Sequence, residues 1–580
     1  MTTCVTQFQR PFLASLRSAR APLRFFLIGH RLHRPAAATC LIIALLGGLT
    51  LPARAATLRW ATQTEITSLD PHAQTLPQTQ AVLQHVYEAL TRYSPSQDVE
   101  PALAQRWEAI TPLTWRFYLR TGVHFHDGTL LTIDDVLFSL ERLKNAGSPL
   151  STVLASIRTI RRASDRAIDI VLEHPVPMLP RILSDARIMS QRWARLHNTE
   201  ALKAGKPGST DYATRHANGT GPYRLDGDWT PGLPLQLVRS TNWWDSAGFP
   251  GNADRVVYRA IASDDERQQA LEHGELDLVT DLPGQRIPAL KRHPDLQVST
   301  DVSQRTLLIG MDQFSDTLRY GGHTGMHNPF RDQRVRHAMA LAIHIPSLLH
   351  ITHNMYQPAG TIVTPGVNGW SEQLDTREPY NLRLARQLMA QAGYSHGFNV
   401  RLDCPGNRYA YDLPICQALV SMWRKIGIHV SINRLPFASL VPRLETLDSS
   451  LWMLGWASPD MDALQNLLSL AYTRSDKVDG TYNAARISDP ALDRLIDRAR
   501  EEGNPLKRTD LLQQALGIIK NQYYYLPLAH ALRAWVMKRS VTLASPPVER
   551  PEMRFVSLKE GRLHPNTVTS GRQHQLNRGR

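Results

Sequence analysis

The sequence lacks the features that usually announce an enzyme or an integral membrane protein. Cysteine is scarce, with four in 580 residues, and two of them (Cys4 and Cys40) fall within the first 56. No HExxH, G-x-S-x-G or P-loop pattern occurs, so the residue sets that hold a catalytic zinc, form a nucleophile elbow or cradle a nucleoside triphosphate are missing. Beyond residue 56 no apolar run approaches the ~20 residues that cross a bilayer. No internal repeat is present, which argues against solenoids and propellers. Asp and Glu are absent from residues 1–56, while seven arginines sit there, so removing this stretch lowers the formal charge from +14 to +7. Part of the remaining excess lies in a polar, basic tail at 561–580, expected to be disordered. A basic excess gathered at the ends is a poor argument for nucleic-acid binding, and no nucleic-acid partner is expected.

The N-terminus reads as an export signal. An arginine-rich region leads into an uncharged run at 36–51, and Ala53-Arg54-Ala55 places small residues at −3 and −1, which predicts a signal peptide over 1–55 cleaved after Ala55. An uncleaved anchor is the alternative, but the run is short and broken by Gly47-Gly48. No cysteine stands at the cleavage site to carry a lipid. An exported chain left with one pair, Cys404 and Cys416, is expected to bridge them, the alternative being two reduced, buried thiols. At this length two or three lobes are expected, and short alternating strands interleaved with 10–15-residue amphipathic helices indicate an α/β protein.

Six blocks stand out. In and just before residues 119–143 (LRTGVHFHDGTLLTIDDVLFSLERL), Phe117, Leu119, Val123 and Phe125 alternate like two short strands broken at Thr121-Gly122. Asp127-Gly128 marks a turn, and Thr132 to Asp135 has the spacing that caps a helix. Upstream are Leu69-Asp70-Pro71 and Val86-Tyr87-Glu88-Ala89-Leu90; downstream are Gly219-Thr220-Gly221-Pro222-Tyr223, the run 328–338 (NPFRDQRVRHA) and Tyr525-Leu526-Pro527-Leu528. In this order the blocks closely resemble those of the family 5 extracellular solute-binding proteins, the oligopeptide, dipeptide and nickel receptors of bacterial ABC importers. The resemblance spans roughly residues 57 to 560.

The resemblance implies a periplasmic-binding-protein type II fold, with two lobes and an extra inserted domain. Domain I would be discontinuous (57–91, 219–305, 536–560), domain II inserted (92–218), and domain III the second lobe (306–535). It further implies a monomeric, non-enzymatic receptor in the periplasm that traps a peptide-like or carboxylate-bearing solute between its lobes. The loaded form would dock on an inner-membrane ABC permease, and no cofactor is expected. A haem or metal-chelate ligand, or an enzyme or chaperone on the same scaffold, are the alternatives.

Candidate ligand contacts cluster in the second lobe. Residues 398–432 read as a strand–helix–strand unit, with a strand at 399–403, a helix at 413–426 and a strand at 428–432. The loop 404–409 then lies beyond a strand's carboxyl end, where open α/β sheets bind ligands. Arg408 can hold a carboxylate through two parallel hydrogen bonds, with Tyr409 beside it. Dipeptide-binding members have a similar Pro-x-x-Arg segment that Pro405 and Arg408 match. Gly455-Trp456 resembles the family's G-W segment, which implies an aromatic wall at Trp456. The family's amine-binding Asp falls on Pro459, leaving Asp460 and Asp462 as candidate acids. Tyr87 completes the set. His124 and His126 beside Asp127 read as hairpin scaffold, and His350 and His353 share a helix face without a metal site being expected.

Overall fold

A computed structural model describes residues 56–559, apart from 75–76, 145–147, 149–150, 152–153, 203–210, 322–326, 407, 459, 476–478 and 546–549. The expected signal peptide and the basic tail both lie outside the described residues.

An eleven-stranded sheet forms the spine of the molecule. At one end Thr57–Thr62 pairs in parallel with Arg255–Ala260 and Leu278–Val279. At the other, Phe398–Gly406 pairs in parallel with Ile428–Pro436 and Leu451–Ala457. These are the βαβ signatures of an α/β protein, with the crossover helix Asp412–Arg424 between the first two. The strand Phe398–Gly406 runs three residues further than its sequence pattern suggests. Cys404, Pro405 and Gly406 continue to pair, with Arg434, Leu435 and Pro436, so the expected loop begins only after Gly406. Cys404 and Cys416 are joined in a disulfide that ties this strand to the helix after it.

Two long antiparallel strands, Leu296–Met311 and Tyr525–Lys538, carry the sheet from one lobe to the other. Trp535 and Met537 enter a core shared with Leu58, Trp60 and Tyr223; Leu308 and Tyr525 enter one shared with Trp452 and Leu512. Between these ends the ladder slips: Val302 lies opposite Leu532 and Thr306 opposite His530, so Ser303, Gln304 and Arg305 face Ala531 alone. Such a bulge bends the strand and re-aims its side chains. His530 pins the ribbon here. Its Nε2 lies 3.0 Å from Asp375 of the second lobe and its Nδ1 2.9 Å from Thr306.

The inserted domain is a four-stranded antiparallel sheet, in the order Ala104–Thr111, Thr114–Leu119, Ala167–Leu172, Ile157–Ser164, with its own apolar core. The helix Ile133–Lys144 packs Val136, Leu140 and Leu143 into that core. Its start is a capping box: the Thr132 N–H and hydroxyl both donate to Asp135 Oδ2, at 2.8 and 2.6 Å. Of the two short strands expected before it only Thr114–Leu119 forms, because Gly122 turns the chain at φ 73° and leaves His124 in a lone bridge to Leu130.

Two contacts lock this domain to the first lobe. Arg142 makes a two-pronged pair with Asp70, at 2.9 and 2.5 Å; burial opposes ionisation of Asp70, but these bonds outweigh it and hold the carboxyl below its usual range. His126 lies 3.0 Å from the Gly221 carbonyl and is pushed down to about 4 by burial, so it is a neutral clamp rather than a ligand. The turn it grips needs glycine. A Cβ on Gly219 would sit 1.9 Å from the Val86 carbonyl oxygen, and one on Gly221 2.4 Å from that of His85.

Candidate functional site

The bulge in the inter-lobe ribbon opens onto cavities on both sides, because neighbouring side chains of a strand point to opposite faces. Ser303 and Arg305 line one of about 250 Å³, together with Asp281 of the first lobe and Arg408 and Tyr409 of the second. Gln304 lines a smaller one of about 60 Å³, against Glu88, Arg92 and Arg187.

The larger cavity is rich in cations. Arg305, Arg408 and Arg533 all line it, with Asp281 as the opposing acid. Arg408 is exposed, its guanidinium carbon 4.8 Å from the centre of the Phe437 ring. Its backbone N–H donates to Asp412 Oδ2 at 3.1 Å, which orients the loop, and the disulfide holds strand and helix on either side. A charged group that rests on an aromatic face and is exposed to solvent is arranged to accept a carboxylate. Arg305 lies over Tyr409 at 5.8 Å, and its Nε is buried without a hydrogen-bond partner among the described residues.

Tyr409 is the seam of the second-lobe wall. Its hydroxyl accepts the Gly455 N–H at 2.9 Å and lies 3.2 Å from the Gly455 carbonyl, fastening the Arg408 loop to the strand Leu451–Ala457. Gly455 must be glycine, since a Cβ there would lie 2.7 Å from the Tyr409 ring. Trp456, next in the strand, is half-buried and leans on Tyr482 with ring centres 5.1 Å apart.

Asp460 and Asp462 separate in role. Asp462 has no solvent exposure; its carboxylate takes two bonds from Arg508, at 2.5 and 2.9 Å, and the Leu464 N–H at 2.9 Å, which caps the helix Ala463–Leu470. It is spent inside the second lobe and cannot meet a ligand amine. Asp460 is half-buried, and its carboxyl is pushed up to about 7 by burial and, secondarily, by the charge of Asp462. The charge of Arg181 on the inserted domain opposes that shift. Tyr87 corrects the sequence expectation in the same way as Asp462. It is fully buried among Leu58, Val86 and Tyr223, and burial drives its pKa well up, so it belongs to the first-lobe core.

The structure thus brings Arg408 and Tyr409 together at the crevice and leaves Tyr87 and Asp462 inside the lobes. It adds Arg305 and Arg533, which carry no local motif; only the fold reveals that the strand ladder slips at Arg305 and that Arg533, opposite Asp301, borders the slip. Among the described residues, no group of three or more His, Cys, Asp or Glu side chains could hold a metal ion.

Residues 98–477 match the family model for bacterial extracellular solute-binding proteins, family 5 (middle region). The chain belongs to this family. Its curated relatives include a probable di/tripeptide-binding protein 5 from Pseudomonas aeruginosa, 27% identical over 83% of this chain and 91% of that protein. Heme-binding protein A from Haemophilus influenzae is 26% identical over 77% and 82%. Among solved structures, HbpA2 from Haemophilus parasuis superposes with a TM-score of 0.75 at 22% identity, covering 87% of this chain and all of that one, which establishes the shared fold. As a family 5 member the chain is a solute-binding protein, and the large mixed sheet with two lobes is the family's architecture.

Proposed function

We propose that the protein is the periplasmic receptor of an ABC importer, capturing a small peptide-like or carboxylate-bearing solute between its lobes and delivering it to an inner-membrane permease. The carrying observation is the cation-rich crevice at the ribbon bulge, where Arg408 presents an exposed guanidinium beside Arg305 and Tyr409. In this reading Arg408 holds the solute's carboxylate, Tyr409 and Trp456 supply aromatic walls, and Asp460 meets a positive or hydrogen-bond-donating group. Because Asp460 carries its proton up to about pH 7, it offers either an acceptor or a donor near neutrality. The relatives' names for di- and tripeptide binding support the solute class.

Domain I would comprise 57–91, 219–305 and 536–560, domain II 92–218, and domain III 306–535. The separate apolar core of the inserted sheet and the two strands that pass between the lobes support this division. The lobes would close about the bulge, with solute contacts adding to the closed state. Affinities of about −8 to −12 kcal/mol, micromolar to nanomolar, suffice for capture. The chain would act as a monomer, exported and cleaved after Ala55, with no catalytic role.

Thermal-shift screening of the mature protein against dipeptides, tripeptides and amino-acid conjugates tests the reading. A stabilising acidic or zwitterionic solute whose effect falls at least tenfold in Arg408→Ala supports it. A solely cationic or neutral hit that ignores Arg408→Ala overturns it. A haem receptor is the second reading, carried by Heme-binding protein A; saturable haem uptake, seen as a shifted Soret band, would select it.

A further inference from the structure

The smaller cavity, on the Gln304 side of the ribbon, is surrounded by more cationic hydrogen-bond donors than its neighbours use. Arg187 lines it, is only 6% exposed, and has no hydrogen bond or ion pair to its guanidinium among the described residues. Burial without a partner pulls its pKa down, nearby carboxylates opposing only in part. Two further lining residues each leave one buried donor without a partner among the described residues. Arg92 gives Nε to Glu100 and Nη2 to Asp245, both at 2.6 Å, and its Nη1 has no partner. Arg554 gives Nε to Glu552 at 2.6 Å and Nη1 to the Gly248 carbonyl at 2.7 Å, and its Nη2 has no partner.

The acids nearby are already engaged. Glu88 accepts from the Thr220 hydroxyl at 2.8 Å and from the indole N–H groups of Trp243 and Trp244, at 3.2 and 2.9 Å. Asp185 pairs with Arg550, and Glu552 with Arg554. Of the four arginines lining the cavity, Arg187 alone has no bonded carboxylate among the described residues. Buried donors left unmade are costly, and three such donors on residues bordering one space describe a site with a missing acceptor. At about 60 Å³ the space takes several waters, at roughly 10–15 Å³ each, or one small oxyanion.

We propose that this cavity binds a small oxyanionic group (carboxylate, phosphate or sulfate), with Arg187 as its anchor and Arg92 and Arg554 each contributing one donor. The site lies on the other side of the ribbon from the Arg408 crevice, and binding of a free ion there does not depend on what that crevice holds. Two sources share this chemistry: a free ion, or the acidic end of a larger solute reaching past the bulge.

The test is a thermal-shift titration of the mature protein with sodium phosphate, sodium sulfate, sodium succinate and Glu-Ala dipeptide, against sodium chloride at matched ionic strength. A saturable rise with phosphate or sulfate assigns a free ion. A rise confined to succinate or Glu-Ala assigns the acidic end of a solute. In either case the half-saturating concentration should rise at least tenfold in Arg187→Met and less in Arg187→Lys, which keeps the charge but loses the planar fork. No anion-specific rise in the wild-type protein overturns the proposal, and that arm needs no variant to fold. An unchanged half-saturating concentration in Arg187→Met overturns it equally.

Discussion

Breaking the Asp462–Arg508 pair should damage the fold, not the recognition of solute. The two side chains are 0% and 2% exposed and meet through two bonds of 2.5 and 2.9 Å. Asp462 also accepts from Asn368 Nδ2 at 2.8 Å and caps the helix Ala463–Leu470. In Arg508→Met the carboxylate stays buried with neutral donors only, and such an uncompensated charge costs about 3–5 kcal/mol. In Asp462→Asn the cap survives, since Asn caps a helix as well as Asp, but the guanidinium is stranded at a similar cost. The double variant Asp462→Asn/Arg508→Met strands neither, so it should lose less than the two single losses added together, with a coupling of about 2–3 kcal/mol. Urea unfolding followed by tryptophan fluorescence measures the four midpoints, and solute affinity is compared below the transition. Single variants at wild-type midpoint, or strictly additive losses, would refute the buried-pair reasoning. A stable Asp462→Asn that cannot bind solute would return Asp462 to the ligand site.

Three further outcomes follow from the same geometry. Replacing Cys404 and Cys416 by serine removes a crosslink between residues 12 apart and should cost about 3 kcal/mol on the chain-entropy model, read as a lower urea midpoint that reductant reproduces in the wild-type protein. Gly455→Ala forces a Cβ to 2.7 Å from the Tyr409 ring, so a loss of about 1–3 kcal/mol with weaker solute binding is expected; unchanged binding would detach Tyr409 from the crevice. Asp460, raised to about 7 in the fold, keeps its proton where the unfolded chain has lost it, so its contribution to stability is present at low pH and fades as pH rises from about 4 to 7. Asp460→Asn should therefore gain on the wild type across that window and hold a constant difference above it; a pH-independent difference in melting temperature would contradict the raised value.

What could be read in advance divides along the line between local and long-range physics. The capping box at Thr132 and Asp135 and the glycines 219 and 221 announce themselves because a turn or cap is made within a few residues of chain. Ordered along the chain, such blocks were sufficient for the family and the architecture. Tyr87 and Asp462 show where that logic fails. Each sits next to a block that touches the crevice, yet whether a side chain faces solvent or core depends on partners far away in sequence. Arg508, 46 residues on, takes up Asp462, and nothing near Asp462 signals it. Arg305 and Arg533 are hidden for a related reason. They matter because two strands more than 200 residues apart slip against each other between Val302 and Thr306, and a register shift leaves no mark in either strand alone. Gln304 and Arg305 lie on opposite sides of that slipped segment, which leaves the ribbon with two chemically distinct cavities, one on each side. A deletion in 303–305 that restored a regular ladder would test this directly: it should spare the cores at both ends of the ribbon while misplacing Arg305, and solute binding should fall far more than stability.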